Sequence, residues 1–275
     1  MKKKEQVTSK VSNNVTKPSV FEKLVPALLV ITVGLAFLVG ILWQKVENLG
    51  KEGTTTTATQ QQAAQPAKKV ELSQIKGLFD KNLIKFGNKD SKLIFVEFSD
   101  PSCPYCHIAG GLNPELNTQV GPQFKLIKDG GTYSAPVVEM KKLVDEGKAA
   151  FVWGYFNGHG NGELATKALY CAYDNGKFWE AHDLMMTNKG YDLINNVVKN
   201  DKANIGKLVD FLRPAGVAEL KECLESGKYD SRLQEEMNLG IELGVSGTPG
   251  FFVNETNFAG AYSFTDMKSV VDSLL

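Results

Sequence analysis

The sequence lacks an excess of charge of either sign. Its 275 residues include 31 Lys plus Arg and 31 Asp plus Glu, so the net charge is zero when histidine is neutral. No overall field would draw such a chain to nucleic acid, and we predict no nucleic-acid partner. Hydrophobic residues are not scarce, at 43%. A chain of this size and composition can bury the core of one globular domain of roughly 200 residues.

Cysteine and histidine are also few. There are three histidines and four cysteines, which are Cys103, Cys106, Cys171 and Cys223. Four cysteines are too few for a disulfide-stapled small protein, whereas an even number suits an oxidising compartment. A structural zinc site needs four ligands, and only one Cys-x-x-Cys pair is present. We therefore predict no metal and no cofactor. A site of two cysteines, one histidine and a further ligand is the remaining alternative.

One segment is long, apolar and uncharged. Leu24 to Trp43 reads LVPALLVITVGLAFLVGILW, and at about 1.5 Å per residue it covers a hydrocarbon core of about 30 Å. The segment is too long for a signal-peptide core and lacks an adjacent cleavage pattern, so we predict a retained signal anchor at 24–43. A cleaved signal is the alternative. Lysines in residues 1–23 place that segment in the cytoplasm by the positive-inside rule, and everything after Trp43 outside.

The segment that follows lacks large apolar residues. Residues 50–69 read GKEGTTTTATQQQAAQPAKK, a composition that cannot offset the entropy lost on ordering. We predict a flexible linker at 44–70 and a folded domain at 71–275.

Strands and helices alternate in the first half of that domain. Lys92 to Phe98, KLIFVEF, is typical of a strand buried on both faces, and shorter strands are predicted at 124–127 and 150–156. Gly110, Gly111 and Pro114 interrupt the helix predicted to begin at Cys103, so we expect it to kink or restart near Asn113. The period is helical from about 163 to 244, and further strands and a last helix follow. The pattern predicts an α/β fold with an inserted helical domain.

The stretch SDPSCPYCH, residues 99–107, carries the candidate chemistry. Outside the cell, Cys103 and Cys106 could form a merely structural disulfide. A redox site instead predicts a buried strand that delivers the first cysteine to a helix N-terminus, where backbone N–H groups stabilise a thiolate. Those surroundings are present, because Pro104 suits the first turn of a helix. His107, if protonated, would add a second cation near the sulfurs.

Residues from about 90 to 275 resemble the DsbA-like branch of the thioredoxin superfamily. Four motifs carry the resemblance in order: FVEFSDPSCPYCH, ALYCAYDNGKFWEAHDLM, CLESGKYDSRL and LGVSGTPGFFVN. The resemblance implies a thioredoxin fold and extracytoplasmic thiol–disulfide exchange.

The same resemblance implies roles for individual residues. Cys103 would be the exposed nucleophile and Cys106 the resolving thiol, with Pro104 and Tyr105 between them. Pro249 would be the cis-proline facing the cysteines, and the backbone of Thr248 would pair with an extended substrate. An ordinary turn is the alternative for this proline loop.

Glu97 stands in an otherwise apolar strand, where a carboxylate is costly unless it is paired or useful. Its position, six residues before Cys103, matches an acid that in the family assists proton transfer at the second cysteine. The alternative is an outward-facing residue on an edge strand.

Cys171 and Cys223 fall on two predicted helices of the insertion, inside family-like motifs. As separate buried thiols they would be small hydrophobes. A bridge between them would close a loop of about 53 residues, worth roughly 4 kcal/mol in a chain-entropy treatment. We favour the bridge.

These observations predict a membrane-tethered dithiol oxidase that acts on secreted or cell-surface protein thiols. A quinone-linked membrane protein, DsbB-like or VKOR-like, would reoxidise it, and its site would be the bacterial cell membrane. The alternatives are a reductase or isomerase of the same fold, or a non-catalytic chaperone or metal-binding module. The 44 or so residues between Cys106 and the strand near 150 are more numerous and richer in glycine than we expect for the family.

Overall fold

The computed structural model describes residues 69–275. The predicted cytoplasmic segment, anchor and nearly all of the linker lie outside the described residues. Among the residues that are described, no helix is both long enough and apolar enough to cross a membrane.

A mixed five-stranded sheet forms the centre of the domain. Its strands are β1 (Ile84–Phe86), β2 (Ile94–Ser99), β3 (Ala150–Tyr155), β4 (Gly250–Val253) and β5 (Thr256–Ala259). The spatial order is β1-β3-β2-β4-β5, with β2 and β3 parallel and the other neighbours antiparallel. β2 is therefore the central strand, and all six of its residues are buried, as its continuous apolar run predicts.

Helices cover both faces of the sheet. Before the insertion they are α1 (Leu72–Gly77), α2 (Pro104–Gly110), α3 (Pro114–Val120) and α4 (Pro136–Asp145). The insertion contains α5 (Glu163–Asp174), α6 (Phe178–Met185), α7 (Asn188–Asp192), α8 (Ile205–Leu212), α9 (Leu220–Glu225) and α10 (Asp230–Glu242). The last helix is α11 (Phe264–Asp272). The predicted α/β architecture with an inserted helical domain is confirmed.

The alternation of β2 side chains divides the core into two parts. Ile94, Val96 and Phe98 face a smaller cluster that includes α1. Phe95 faces a larger cluster built with the insertion, which contains Trp153 of β3. Glu97 shares the face of Phe95, so the single carboxylate of this strand points toward the insertion.

The helix after the Cys-x-x-Cys pair ends early, as the sequence predicts. Gly111 closes α2 in the left-handed conformation with φ 67°. The side chain of Asn113 then accepts a hydrogen bond from the N–H of Leu116 at 3.2 Å, and α3 restarts at Pro114.

The prediction of a strand at 124–127 is wrong. Two 3₁₀ turns, Pro122–Phe124 and Ile127–Asp129, leave only an isolated bridge between Leu126 and Tyr133. Gly130 takes a left-handed conformation, φ 81°, and turns the chain back on itself before a ladder can extend. Leu126 and Tyr133 are buried, which accounts for the apolar pattern.

Two contacts organise the insertion. A disulfide joins Cys171 of α5 to Cys223 of α9. A buried ion pair, Arg232 Nε to Glu236 Oε1 at 2.7 Å, lies on α10. The other carboxylate oxygen of Glu236 accepts hydrogen bonds from the N–H of Tyr155 at 2.6 Å and the hydroxyl of Tyr170 at 2.7 Å. Glu236 therefore ties the insertion to the end of β3.

We expect Glu236→Ala to lower the free energy of unfolding by about 3–5 kcal/mol, because it leaves Arg232 buried without its partner. The Lys268–Asp272 pair of α11 has the same i,i+4 spacing but side chains 60% and 54% exposed, which makes it a matched control. Asp272→Ala should cost at most about 0.5 kcal/mol. Urea unfolding followed by tryptophan fluorescence measures both. Equal losses would contradict the role given to Glu236.

Candidate active site

Cys103 occupies the N-cap position of α2, directly after β2 and a short turn. Its own N–H donates to the carbonyl oxygen of Asp100 at 2.9 Å, which fixes the turn. Cys106 lies one turn further into the helix, and both cysteines are free thiols. The sequence places a thiol at a helix N-terminus because β2 ends at Ser99 and Pro104 starts the helix.

The two sulfurs have opposite acidities. The pKa of Cys103 is lowered to about 7, chiefly by a hydrogen bond from the Cys106 thiol and with help from N–H groups of the first helical turn. The pKa of Cys106 is raised well above its usual value, first by burial and then by its interactions with Cys103 and the carboxylate of Glu97. Near neutral pH Cys103 is therefore the sulfur that ionises, whereas Cys106 stays a thiol.

The proline loop faces the nucleophile. The peptide bond between Thr248 and Pro249 is cis, and the Cys103 thiol donates to the carbonyl oxygen of Thr248 at 3.4 Å. The backbone of residue 248 is thus adjacent to the sulfur, two residues before β4.

Cys103 is less accessible than the resemblance implies. It is 4% exposed, whereas its neighbour Tyr105 is 45% exposed. Thr248 lies against the sulfur, and Gly158 packs beside the same pair, because a Cβ at that glycine would stand 3.3 Å from Cys103 Cβ. The exposed nucleophile expected from the sequence is therefore a covered one, and two loops that are distant in sequence cover it.

Glu97 lies beneath the cysteines on the central strand. It is 1% exposed and pairs in register with Trp153 of β3 and Phe251 of β4, so the interpretation as an edge residue is wrong. Burial raises its pKa to about 7, against an opposing electrostatic influence of His182. Its Oε2 has no hydrogen-bond partner among the described residues. A carboxyl group that titrates near neutrality beside Cys106 can accept or donate a proton.

Comparisons with known proteins identify the family. A family model described as Thioredoxin matches residues 136–273, half of the chain. A protein of Rickettsia bellii named as a protein-disulfide oxidoreductase is 27% identical over 225 residues, 80% of this chain and 74% of its own. Disulfide bond formation protein D of Bacillus subtilis is 21% identical, over 69% of this chain and 75% of its own.

A solved structure shares the fold. Wolbachia pipientis alpha-DsbA1 superposes with a TM-score of 0.51 at 15% identity, covering 70% of this chain and 90% of its own. The chain is a DsbA-like member of the thioredoxin superfamily. It is a thiol-disulfide oxidoreductase.

His107 does not serve this DsbA-like site as a cation. The ring is fully buried, and burial lowers its pKa to about 4, so it is neutral at ordinary pH. Nε2 lies 2.8 Å from the carbonyl oxygen of Pro101 and Nδ1 lies 3.1 Å from that of Met186. His107 therefore holds the turn before Cys103 against the segment that joins α6 to α7, which corrects the expectation of a second positive charge near the sulfurs.

Several residues of the site were missed from the sequence. Asp100 and Ser102 are fully buried in the turn before Cys103, and their hydrogen bonds reach the 157–162 loop, NGHGNG. The only feature of the sequence that could have indicated this role is the high glycine content of the loop, which is equally typical of an ordinary linker. His182 packs within the insertion, where its ring stacks on Phe178 at 5.5 Å.

The described part of the chain lacks a cluster of side chains that could bind a metal ion. Within residues 69–275, no three His, Cys, Asp or Glu side chains are grouped as a metal site needs.

We expect Glu97→Gln to slow thiol exchange while stabilising the fold at alkaline pH. The folded pKa of Glu97, about 7, exceeds the ordinary glutamate pKa of 4.5, so its contribution to stability is complete at acid pH and is lost as pH rises through 7. The neutral amide removes that loss, a gain on the order of 3 kcal/mol above pH ~8 and none below pH ~4. Exchange should slow by about ten-fold or more.

Urea unfolding of the reduced protein across this pH range measures the first effect, and stopped-flow exchange with a small dithiol measures the second. The exposed Glu255 offers a control, since Glu255→Gln should alter neither quantity. A Glu97→Gln protein with parental stability at every pH would show that the carboxyl group is not desolvated.

Proposed function

We propose that this protein is a membrane-tethered, extracytoplasmic dithiol oxidase that introduces disulfides into secreted and cell-surface proteins through Cys103 and Cys106. The lowered pKa of Cys103 is the observation that supports this direction of exchange. A stabilised thiolate stabilises the reduced enzyme, which makes the Cys103–Cys106 disulfide a stronger oxidant. The name of the Bacillus subtilis relative, a disulfide bond formation protein, agrees with that direction.

The reaction is two successive exchanges. A substrate thiolate attacks Sγ of Cys103, the Cys103–Cys106 bond breaks, and its electron pair goes to the sulfur of Cys106. Because Cys106 has a high pKa, it takes up a proton, which we assign to Glu97. A second substrate thiolate then attacks the substrate sulfur of the mixed disulfide, and Cys103 leaves as a thiolate. The substrate loses two electrons and two protons. The enzyme keeps both electrons and one proton, and the other proton goes to solvent.

The backbone at Thr248 positions the substrate in this scheme. Its carbonyl oxygen already accepts from the Cys103 thiol at 3.4 Å. An extended polypeptide that pairs with this backbone would bring its own sulfur in line with Cys103.

The membrane context is part of the proposal. An anchor at 24–43 in the bacterial cell membrane and a linker at 44–70 would keep the domain outside the cell, with residues 1–23 in the cytoplasm. Reduced Cys103 and Cys106 need an electron acceptor after each cycle. We assign that role to a quinone-linked membrane protein, DsbB-like or VKOR-like, because the linker keeps the domain within reach of the membrane surface.

The direction of exchange can be tested by equilibration with glutathione. We expect a potential for Cys103–Cys106 between about −180 and −120 mV, the range of protein disulfide isomerase and DsbA, and rapid oxidation of a reduced unfolded protein. Cys106→Ala should accumulate mixed disulfides with secreted proteins, because the nucleophile remains and the resolving thiol is gone.

Cys103→Ala is the matched control for trapping, since it should retain almost no partners. A potential near the −270 mV or so of thioredoxin would favour a reductase. Equal trapping by the two variants would reverse the roles assigned to the two cysteines.

The anchor has its own test. The full-length protein should stay with membranes at full mass through an alkaline wash, because twenty apolar residues hold it in the bilayer. Protease added outside the cell should reach the C-terminal domain. A variant without residues 24–43 should appear in the soluble fraction. Release of a fragment that begins after Trp43 would instead identify a cleaved signal.

A further inference from the structure

A buried carboxylate joins the active-site turn to the 157–162 loop. Asp100 is fully buried. Its Oδ1 accepts from the N–H and the hydroxyl of Ser102, both at 2.7 Å. Its Oδ2 accepts from the N–H groups of Gly158 and His159, both at 2.9 Å. One carboxylate therefore holds the turn before Cys103 and the loop after β3 at a fixed separation.

The backbone of Asp100 also contacts both cysteines. Its carbonyl oxygen accepts from the N–H of Cys103 at 2.9 Å. Its own N–H points to the sulfur of Cys106 at 3.5 Å. A shift of this residue would consequently move the loop and the cysteine pair together.

The loop contacts the opposite side of the site through a glycine. A Cβ placed on Gly158 would lie 1.7 Å from Thr248 Oγ1, 3.0 Å from Thr248 Cβ and 3.3 Å from Cys103 Cβ. No left-handed conformation requires glycine at this position, because the positive-φ glycine of the loop is Gly160. The close approach to Thr248 and Cys103 thus leaves no room for a side chain at position 158 unless the Thr248 hydroxyl moves.

Other hydrogen bonds hold the far end of the loop. The N–H of Asn161 donates to the Ser102 hydroxyl at 3.2 Å, and the Asn200 side chain donates to the carbonyl oxygen of Gly160 at 2.9 Å. Gly162 packs on Asp100 so closely that a Cβ would stand 1.8 Å from Oδ1. Residues 157–160 are nevertheless exposed on their outer side. The loop has the geometry of a wall, fixed along its inner side and open to solvent along its outer side.

We propose that the 157–162 loop is the wall of the substrate groove opposite the cis-proline loop, that Gly158 sets the width of the gap over Cys103, and that Asp100 positions this wall. The gap admits the thiol of an extended, unfolded chain and excludes thiols that are flanked by bulky groups. This selection acts in both directions of exchange, so it does not rest on the proposed oxidase function.

Substitutions of Asp100 and Gly158 should change the width of the gap in opposite directions. Asp100→Asn keeps the shape of the side chain but replaces one acceptor oxygen by a donor. Either the N–H groups of Gly158 and His159 or the two donors of Ser102 then lose their acceptor, and the wall loosens. Gly158→Ala adds a methyl group between the wall and Thr248 and narrows the gap. A residue with a merely structural role would impair all reactions in both variants.

The test compares two maleimides that share one reactive group. N-ethylmaleimide carries a small group on its imide nitrogen, and N-(1-pyrenyl)maleimide carries a bulky rigid ring system at the same position. The ratio of their rate constants with reduced Cys103, pyrenyl over ethyl, should rise about ten-fold in Asp100→Asn and fall about ten-fold in Gly158→Ala. A changed fraction of Cys103 thiolate affects both rate constants equally and therefore cancels in their ratio. The pH profile of each reaction measures that fraction separately.

Two controls accompany this test. Gly206→Ala changes a helical glycine with open space around it, and Asp174→Asn changes a carboxylate that binds Lys228 within the insertion. Both should leave the ratio within about two-fold. Shifts of Asp100→Asn and Gly158→Ala in the same direction, or ratios as constant as those of the controls, would overturn the proposal.

A second measurement tests the proposal without the Asp100 and Gly158 variants, in case either of them fails to fold. In the Cys106→Ala protein with free Cys103, the amides of Gly158 and His159 should exchange hydrogen slowly, because both donate to a buried carboxylate. Once Cys103 carries glutathione as a mixed disulfide, exchange at these two amides should quicken by about ten-fold, since the added peptide pushes the loop away from Thr248 and weakens the two hydrogen bonds to Asp100. Unchanged exchange would also overturn the proposal.

Discussion

The unequal sharing of protons between two sulfurs at the start of α2 is the constraint on which the site depends. Cys103 has a pKa lowered to about 7, and Cys106 has one raised well above its usual value. That inequality depends on the hydrogen bond from Cys106 and the N–H groups of a helix N-terminus on one side, and on a dry interior on the other. The central position of β2 supplies both, because the strand ends at the turn before Cys103 and carries Glu97 into the core beneath Cys106. The chemistry and the fold thus share one short segment.

The elements that the sequence could predict are those governed by local pattern. Three such predictions are confirmed: the buried strand β2, the helices of the insertion and the end of a helix at Gly111. Each depends on residues that are neighbours along the chain. The segment 124–127 read incorrectly because burial of Leu126 and Tyr133 produces an apolar pattern without a strand. A short apolar run indicates that its side chains are buried, but burial alone does not determine that the segment forms a β-strand.

The parts of the site that could not be predicted depend on contacts between distant segments. The covering of Cys103 arises from Thr248, 145 residues away, and from Gly158. The neutral state of His107 depends on burial against Met186, 79 residues away. Glu97 could be singled out from its strand, but its raised pKa required knowing that β3 and β4 close both sides of β2. Asp100 read as part of a turn, and its partners belong to a loop about 60 residues further on.

The disulfide between Cys171 and Cys223 contrasts with the reactive cysteine pair of the same protein. One pair of sulfurs, on α5 and α9, is bonded within the insertion, while the other pair is free at the start of α2. A newly made chain must therefore receive a disulfide before its insertion is complete. A catalyst of thiol–disulfide exchange is in this respect also a client of such chemistry, and its maturation in a cell depends on an oxidant that is already at work.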